Sequence, residues 1–217
     1  MSTPSTTPSS RTSLIAAGGG AVALALLVGF AVGLPEITGD GHSGPGVEEL
    51  APLPDTLPGD LISLLGTEVP DEVLAQFGGT EQLEPLVDSA SDNLATLFGD
   101  PTAFGLYTKV DGSAFLTVTV APGEPGLFVP DGAPFDADVQ GAARGNLEVV
   151  RVDDDTVCSV VYAAAIAEGQ PVDPAEQPSR THCQLGSEGL LYDVTGQGVG
   201  VDEVVIAAEA VRDLQES

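Results

Sequence analysis

The chain has 217 residues, with 33 acidic against 6 basic side chains and a formal net charge of −27. So anionic a surface repels nucleic acid and acidic lipid head groups, which sets nucleic-acid binding aside. Paired-carboxylate chemistry of the glycosidase kind usually comes with a groove lined by aromatics for sugar rings, and this chain has no tryptophan, three tyrosines and seven phenylalanines.

Residues 1–13 are mostly Ser, Thr and Pro, too few and too polar to bury a core, and read as a disordered cytoplasmic tail. Leu14 to Leu34 follows, twenty-one residues without a charged side chain. At about 1.5 Å rise per residue a helix of this length crosses a hydrocarbon core roughly 30 Å thick. Residues 14–34 are therefore expected to be a transmembrane helix. Arg11 stands before it and no basic residue follows until Lys109, so the tail is expected inside and the rest outside the cytoplasm. The alternative is a cleaved signal peptide, with Ala31-Val32-Gly33 as a small-x-small cleavage site. A signal h-region spans about 7–15 residues, and the greater length here favours retention as a signal-anchor. No cysteine lies near the end of the run, so a lipid-modified anchor does not fit. Gly29-Phe30-Ala31-Val32-Gly33 matches the Gly-x-x-x-Gly pattern through which a membrane helix can form a homodimer.

Residues 35–59 are crowded with Gly and Pro and read as a linker that lifts a domain off the membrane. Within it, Gly41-His42-Ser43-Gly44 begins like a nucleophile elbow, but Pro45 stands where the closing glycine belongs. Short helices are expected over Leu61–Leu65 and Glu72–Phe77. A firmer one is expected over Pro85–Phe98, where Leu86, Ala90, Leu94 and Leu97 repeat at helical spacing between Pro85 and Gly99. Strands over 104–110 and 113–120 flank Asp111-Gly112, a pair suited to a type I′ hairpin. Pro122 to Gly145 reads as a long loop. Further strands are expected over 146–152, 156–163, 181–185 and 190–194, with a turn at Gly186-Ser187-Glu188-Gly189. A last helix, N-capped by Asp202, runs through Leu214.

Consecutive strands joined by tight turns imply an antiparallel sheet. The expected fold is thus an α+β domain over residues 60–217, its helices covering one face of the sheet. Cys158 and Cys183 are expected to form a disulfide, tying the fourth expected strand to the fifth. His182 beside Cys183 offers too few ligands for a structural zinc site.

No catalytic, cofactor-binding or metal-ligating set is expected. Gly196-Gln197-Gly198-Val199-Gly200 sits between a strand and a helix, but its spacing differs from the dinucleotide fingerprint and no second strand follows. Asp131, Asp136 and Asp138 share the long loop without the EF-hand order. His182 alternates with Cys183 and should face away from the core, with no nucleophile in sight. Leu127, Phe128 and Val129 form an apolar island in the same loop; if exposed, they are the candidate protein contact. The chain therefore reads as a single-pass protein of the cell membrane, presenting an acidic, disulfide-tied extracytoplasmic domain with a binding or structural role. A carboxylate-dependent exported enzyme and a weak divalent-cation binder are the alternatives.

Overall fold

From Ala103 onward, branched or aromatic side chains alternate with polar ones, and that period of two lays most of the chain out as strands. A computed structural model describes residues 49–123 and 136–217. The expected tail, membrane helix and elbow-like segment lie outside the described residues, as do Leu127, Phe128, Val129 and Asp131. The described residues fall within one compact unit.

In chain order the strands are β1 (Thr56–Leu57), β2 (Leu61–Ser63), β3 (Ala103–Lys109), β4 (Phe115–Pro122), β5 (Ala142–Arg144), β6 (Leu147–Arg151), β7 (Thr156–Val161), β8 (Ile166–Ala167), β9 (Arg180–Ser187) and β10 (Leu190–Gln197). The helices are α1 (Asp71–Gln76), α2 (Thr80–Phe98) and α3 (Val201–Gln215). Eight strands form one antiparallel sheet of order β1-β2-β3-β4-β10-β9-β7-β6, and β5 pairs with β8 in a small second ladder. An antiparallel sheet with flanking helices is the α+β class that the sequence implies.

The helices nevertheless cover both faces of the sheet, not one. On the first face, Leu116, Val118, Val120, Tyr192 and Val194 pack under Val204, Ala207, Ala208 and Val211 of α3. On the opposite face, Ile62, Leu106 and Phe115 meet Leu64, Val73, Phe77 and Leu83 from the α1–α2 region. The Phe77 and Phe115 rings stack with centroids 5.5 Å apart. Strand register explains the division. Ile62 pairs with Thr108 and Leu61 with Lys109, so neighbours in sequence point to opposite sides.

Several local expectations give way to longer-range pairing. Leu61–Ser63 is strand rather than helix, because its backbone pairs with β3, and a lone helical turn offers too few bonds to compete. The expected linker over 35–59 ends early, since β1 pairs with β2 and Leu57 is buried in the core. The Tyr107 hydroxyl donates to the Pro54 carbonyl at 2.9 Å. Gln215 grips Ala51 by both amide atoms, at 2.7 and 3.0 Å. The fold therefore begins before residue 60. Helix α2 starts at Thr80, five residues ahead of the expected Pro85, because the glycines before it turn the chain and Gly79 accepts from Gln82 and Leu83. Pro85 consequently lies inside the helix and removes one of its bonds.

The Asp111-Gly112 hairpin has a four-residue loop, Val110 to Ser113, rather than two, with Lys109 bonded to Ala114 across it. The tighter I′-type turn is Glu188-Gly189, with φ of +51° and +81°. The loop expected over Pro122–Gly145 contains a short 3-10 turn at Ala137–Gln140 and β5. The N-cap of α3 is Gly200, not Asp202. Glu203 reaches back to the Gly200 N–H at 3.3 Å and takes Lys109 Nζ at 2.8 Å, pinning the first turn of the helix to the end of β3.

Cys158 and Cys183 are bonded, S–S 2.08 Å, as directly opposed partners on β7 and β9, both fully buried. The bridge closes a separation of 25 residues, worth about 3.5 kcal/mol in the chain-entropy model. Replacing both cysteines by alanine should lower the melting temperature by on the order of 10 °C in a thermal melt; an unchanged melt would show that the β7–β9 ladder holds without it.

Two core phenols are displaced from their ordinary pKa. Burial, with a contribution from Glu216, pushes Tyr192 up to about 12. Burial, assisted by Asp55, raises Tyr107 as well. The folded pKa lies above the unfolded one, so the neutral phenols favour the fold fully below the unfolded value of 10.0. That contribution disappears as pH rises through the folded value. An absorbance titration should show neither phenolate at pH 10 in the folded protein, with chemical stability falling between about pH 10 and 12; a Tyr192 phenolate formed at pH 10 in the intact fold would contradict it.

Candidate functional site

The alternation that turns Cys158 and Cys183 into the core turns Ser159 and His182 to the other side of the sheet. Ser159 and His182 are cross-strand partners on β7 and β9, and His182 is in turn opposite Thr195 on β10. Asp193 pairs with Gln184 on one side and Thr119 on the other. One polar row therefore runs across four strands, beyond the part of this face that α1 and α2 cover.

Hydrogen bonds within the row converge on Asp193. Its Oδ2 lies 2.8 Å from His182 Nε2 and accepts from Gln184 Nε2 at 2.8 Å. Both His182 and Asp193 are partly exposed. A carboxylate that orients an imidazole is half of a nucleophile-activating arrangement. The third member does not complete it. Ser159 is only 1% exposed, and its Oγ has no hydrogen-bond partner among the described residues. The His182 imidazole and the Ser159 hydroxyl are cross-strand neighbours without being hydrogen-bonded to each other.

Sequence reading placed His182 on the outer face but missed Asp193, Gln184 and Ser159. Period-two alternation between Tyr192 and Val194 points Asp193 outward, but only the β9–β10 register brings it opposite the segment holding His182.

Other polar features have structural roles. Arg144 is nearly buried, sits 3.6 Å over the Tyr162 ring and pairs with Glu176 at 3.0 Å, fastening β5 to the segment before β9. Gly196 of the glycine-rich turn is required by packing, since a Cβ there would overlap Val199. The turn thus brings α3 down onto the sheet. A shallow cavity of about 150 Å³ at the β1–β2 edge is lined by Asp55, Thr56, Ile62, Ser63 and Glu68 among others, smaller than the ~300–1,000 Å³ of ordinary ligand pockets. Asp136 and Asp138 are exposed, the first as the N-cap of the 3-10 turn and the second within it. Among the described residues no group of three His, Cys, Asp or Glu side chains could hold a metal ion, and no helix is long and apolar enough to cross a membrane.

The chain matches no protein-family model, no curated protein and no solved structure.

A buried hydroxyl without a partner is a cost to the fold. Ser159→Ala should therefore leave stability unchanged or raise it by up to about 1 kcal/mol in denaturant unfolding. Destabilisation by more than that would reveal a partner for Ser159 and reopen its role beside His182.

Proposed function

We propose that this chain is a single-pass membrane protein, held by residues 14–34, whose acidic α+β domain stands outside the cytoplasm and works by binding. The observation that carries the reading is the buried Cys158–Cys183 bridge. Cytosolic thiols are kept reduced, and a structural disulfide is at home in an oxidising compartment. The uncharged run Leu14–Leu34 supports an anchor, and Arg11 supports a cytoplasmic amino terminus. Beyond residue 34 the chain carries five basic and thirty-three acidic residues, a net −28 that suits a solvated surface and disfavours anionic partners. Binding is favoured over catalysis because Ser159, the hydroxyl opposite His182, is buried and makes no hydrogen bond among the described residues.

In membranes from expressing cells, the full-length chain should resist carbonate extraction. Its domain should be digested by protease added from outside, and it should run faster on gels without reductant. Recovery in the cytosolic fraction with both thiols alkylated would overturn the reading.

A further inference from the structure

Ahead of β1 the chain runs through Leu50-Ala51-Pro52-Leu53-Pro54, a stretch in neither helix nor strand. Proline fixes its own φ, lacks an N–H and pushes the residue before it toward extended backbone. Such a stretch offers mostly carbonyls and pairs poorly as a regular strand. Side chains bind it instead. Gln215 of α3 accepts from the Ala51 N–H at 2.7 Å and donates to the Ala51 carbonyl at 3.0 Å. Tyr107 of β3, 1% exposed, donates to the Pro54 carbonyl at 2.9 Å. Leu50 and Leu53 pack against the core that α3 covers, and Leu57 is buried within it. Gly105 of β3 leaves the space for this, since a Cβ there would come within 2.8 Å of Leu53 Cδ1. Residues 50–57 are thus a strap, lying in a groove shaped for an extended segment that contains proline.

Two features set this contact apart from ordinary chain packing. The first is its reach. The bonds to Gln215 and Tyr107 join residues 164 and 53 apart, and nothing in them requires strap and groove to belong to one chain. The second is the joint. Only Pro58-Gly59-Asp60 links β1 to β2, whose pairing runs from Leu57–Leu61 to Thr56–Ile62. Gly59 has a φ of +85°, and Asp60, which carries a Cβ, is held at +59°. Left-handed backbone is unfavourable for a residue with a Cβ, and Pro58 stiffens the same turn. A short hinge under such strain invites exchange between copies, because an opened, extended hinge is free of it.

We propose that residues 50–57 exchange between two copies of the chain, so that each strap fills the groove of the other copy. β1 of one copy then pairs with β2 of its partner in the register seen within one chain. The charge of the domain argues for this mode over docking of broad faces. With five basic against thirty-three acidic residues beyond residue 34, two such bodies at net −28 repel. Exchange recreates contacts that the single chain already makes, reciprocally about a two-fold axis, and asks for no further face between the bodies. The proposal rests on the anchored reading, since copies held in one membrane meet at raised local concentration, and it names the partner as a second copy.

The test co-expresses two full-length copies, one carrying an affinity tag, and captures the tagged copy from whole cells dissolved in non-ionic detergent. Tagged wild type should retain untagged wild type. Leu53→Asp in both copies spoils both straps and should cut retention about tenfold. Tyr107→Phe with Gln215→Ala in both copies removes the groove's hydrogen bonds and should do the same. With Leu53→Asp in one copy and Tyr107→Phe, Gln215→Ala in the other, a sound strap meets a sound groove only across copies, and retention should return. Asp60→Gly leaves strap and groove intact but relaxes the closed turn, and should lower retention about fivefold in a folded chain. Equal retention in every pair would assign the association to the anchor helix and overturn the proposal. So would a wild type that retains nothing, or a mixed pair that fails to recover while Asp60→Gly changes nothing. Carbonate extraction of the wild type is scored separately, so loss of the anchored reading and loss of exchange are told apart.

Discussion

The ladder between β4 and β10 is the pairing on which the rest of the molecule depends. Eight consecutive partners, from Leu190 opposite Pro122 to Gln197 opposite Phe115, join stretches 68 to 82 residues apart. Closing so long an intervening segment costs chain entropy that local structure does not recover. It is offset where Leu116, Val118 and Val120 come beside Tyr192 and Val194 beneath α3. A slip of one residue would put threonines and Asp193 under α3 and expose the valines, so burial itself holds the register. β9 then joins through the Glu188-Gly189 turn, and β7 joins β9 with the cystine at its centre.

Close approach of α3 to this ladder follows from small residues on both sides. Ala207 and Ala208 are fully buried on the helix, and Gly196 leaves room for Val199 at the end of β10. Contacts at both ends hold the helix in place. Glu203 meets Lys109 at its start, and Gln215 clamps Ala51 at its end. Ion pairs of this exposure are worth less than about 1 kcal/mol each, so their value lies in orientation. Apolar burial supplies most of the energy.

The opposite face has a different character. Its β2–β3–β4 end is sealed by α1 and α2 around Ile62, Leu83 and Phe115, and the remaining strands carry the polar row around Asp193. Buried ionic groups cost desolvation, and this row avoids much of it by remaining partly exposed and internally hydrogen-bonded. Helix α2 lies over only part of this face. Its last turn leaves Leu97 and Phe98 about half exposed.

Patterns confined to short stretches were legible in the sequence. Alternation in Phe115–Val120, the helical stripe of Val204, Ala208 and Val211, and the even cysteine count each express a local periodicity or a simple pairing rule, and the strands, the last helix and the disulfide followed from them. What they left undetermined was set by partners distant in the chain. Leu61–Ser63 became a strand because β3 offered it a ladder, residues 50–57 joined the fold because Tyr107 and Gln215 held them, and helices reached both faces because register split adjacent residues between them. Asp193, Gln184 and Ser159 came to stand beside His182 for the same reason. Side chains from separate strands become neighbours only when the ladder is aligned, and alignment is settled by the burial of the whole sheet, a sum over contacts that no single window of sequence contains.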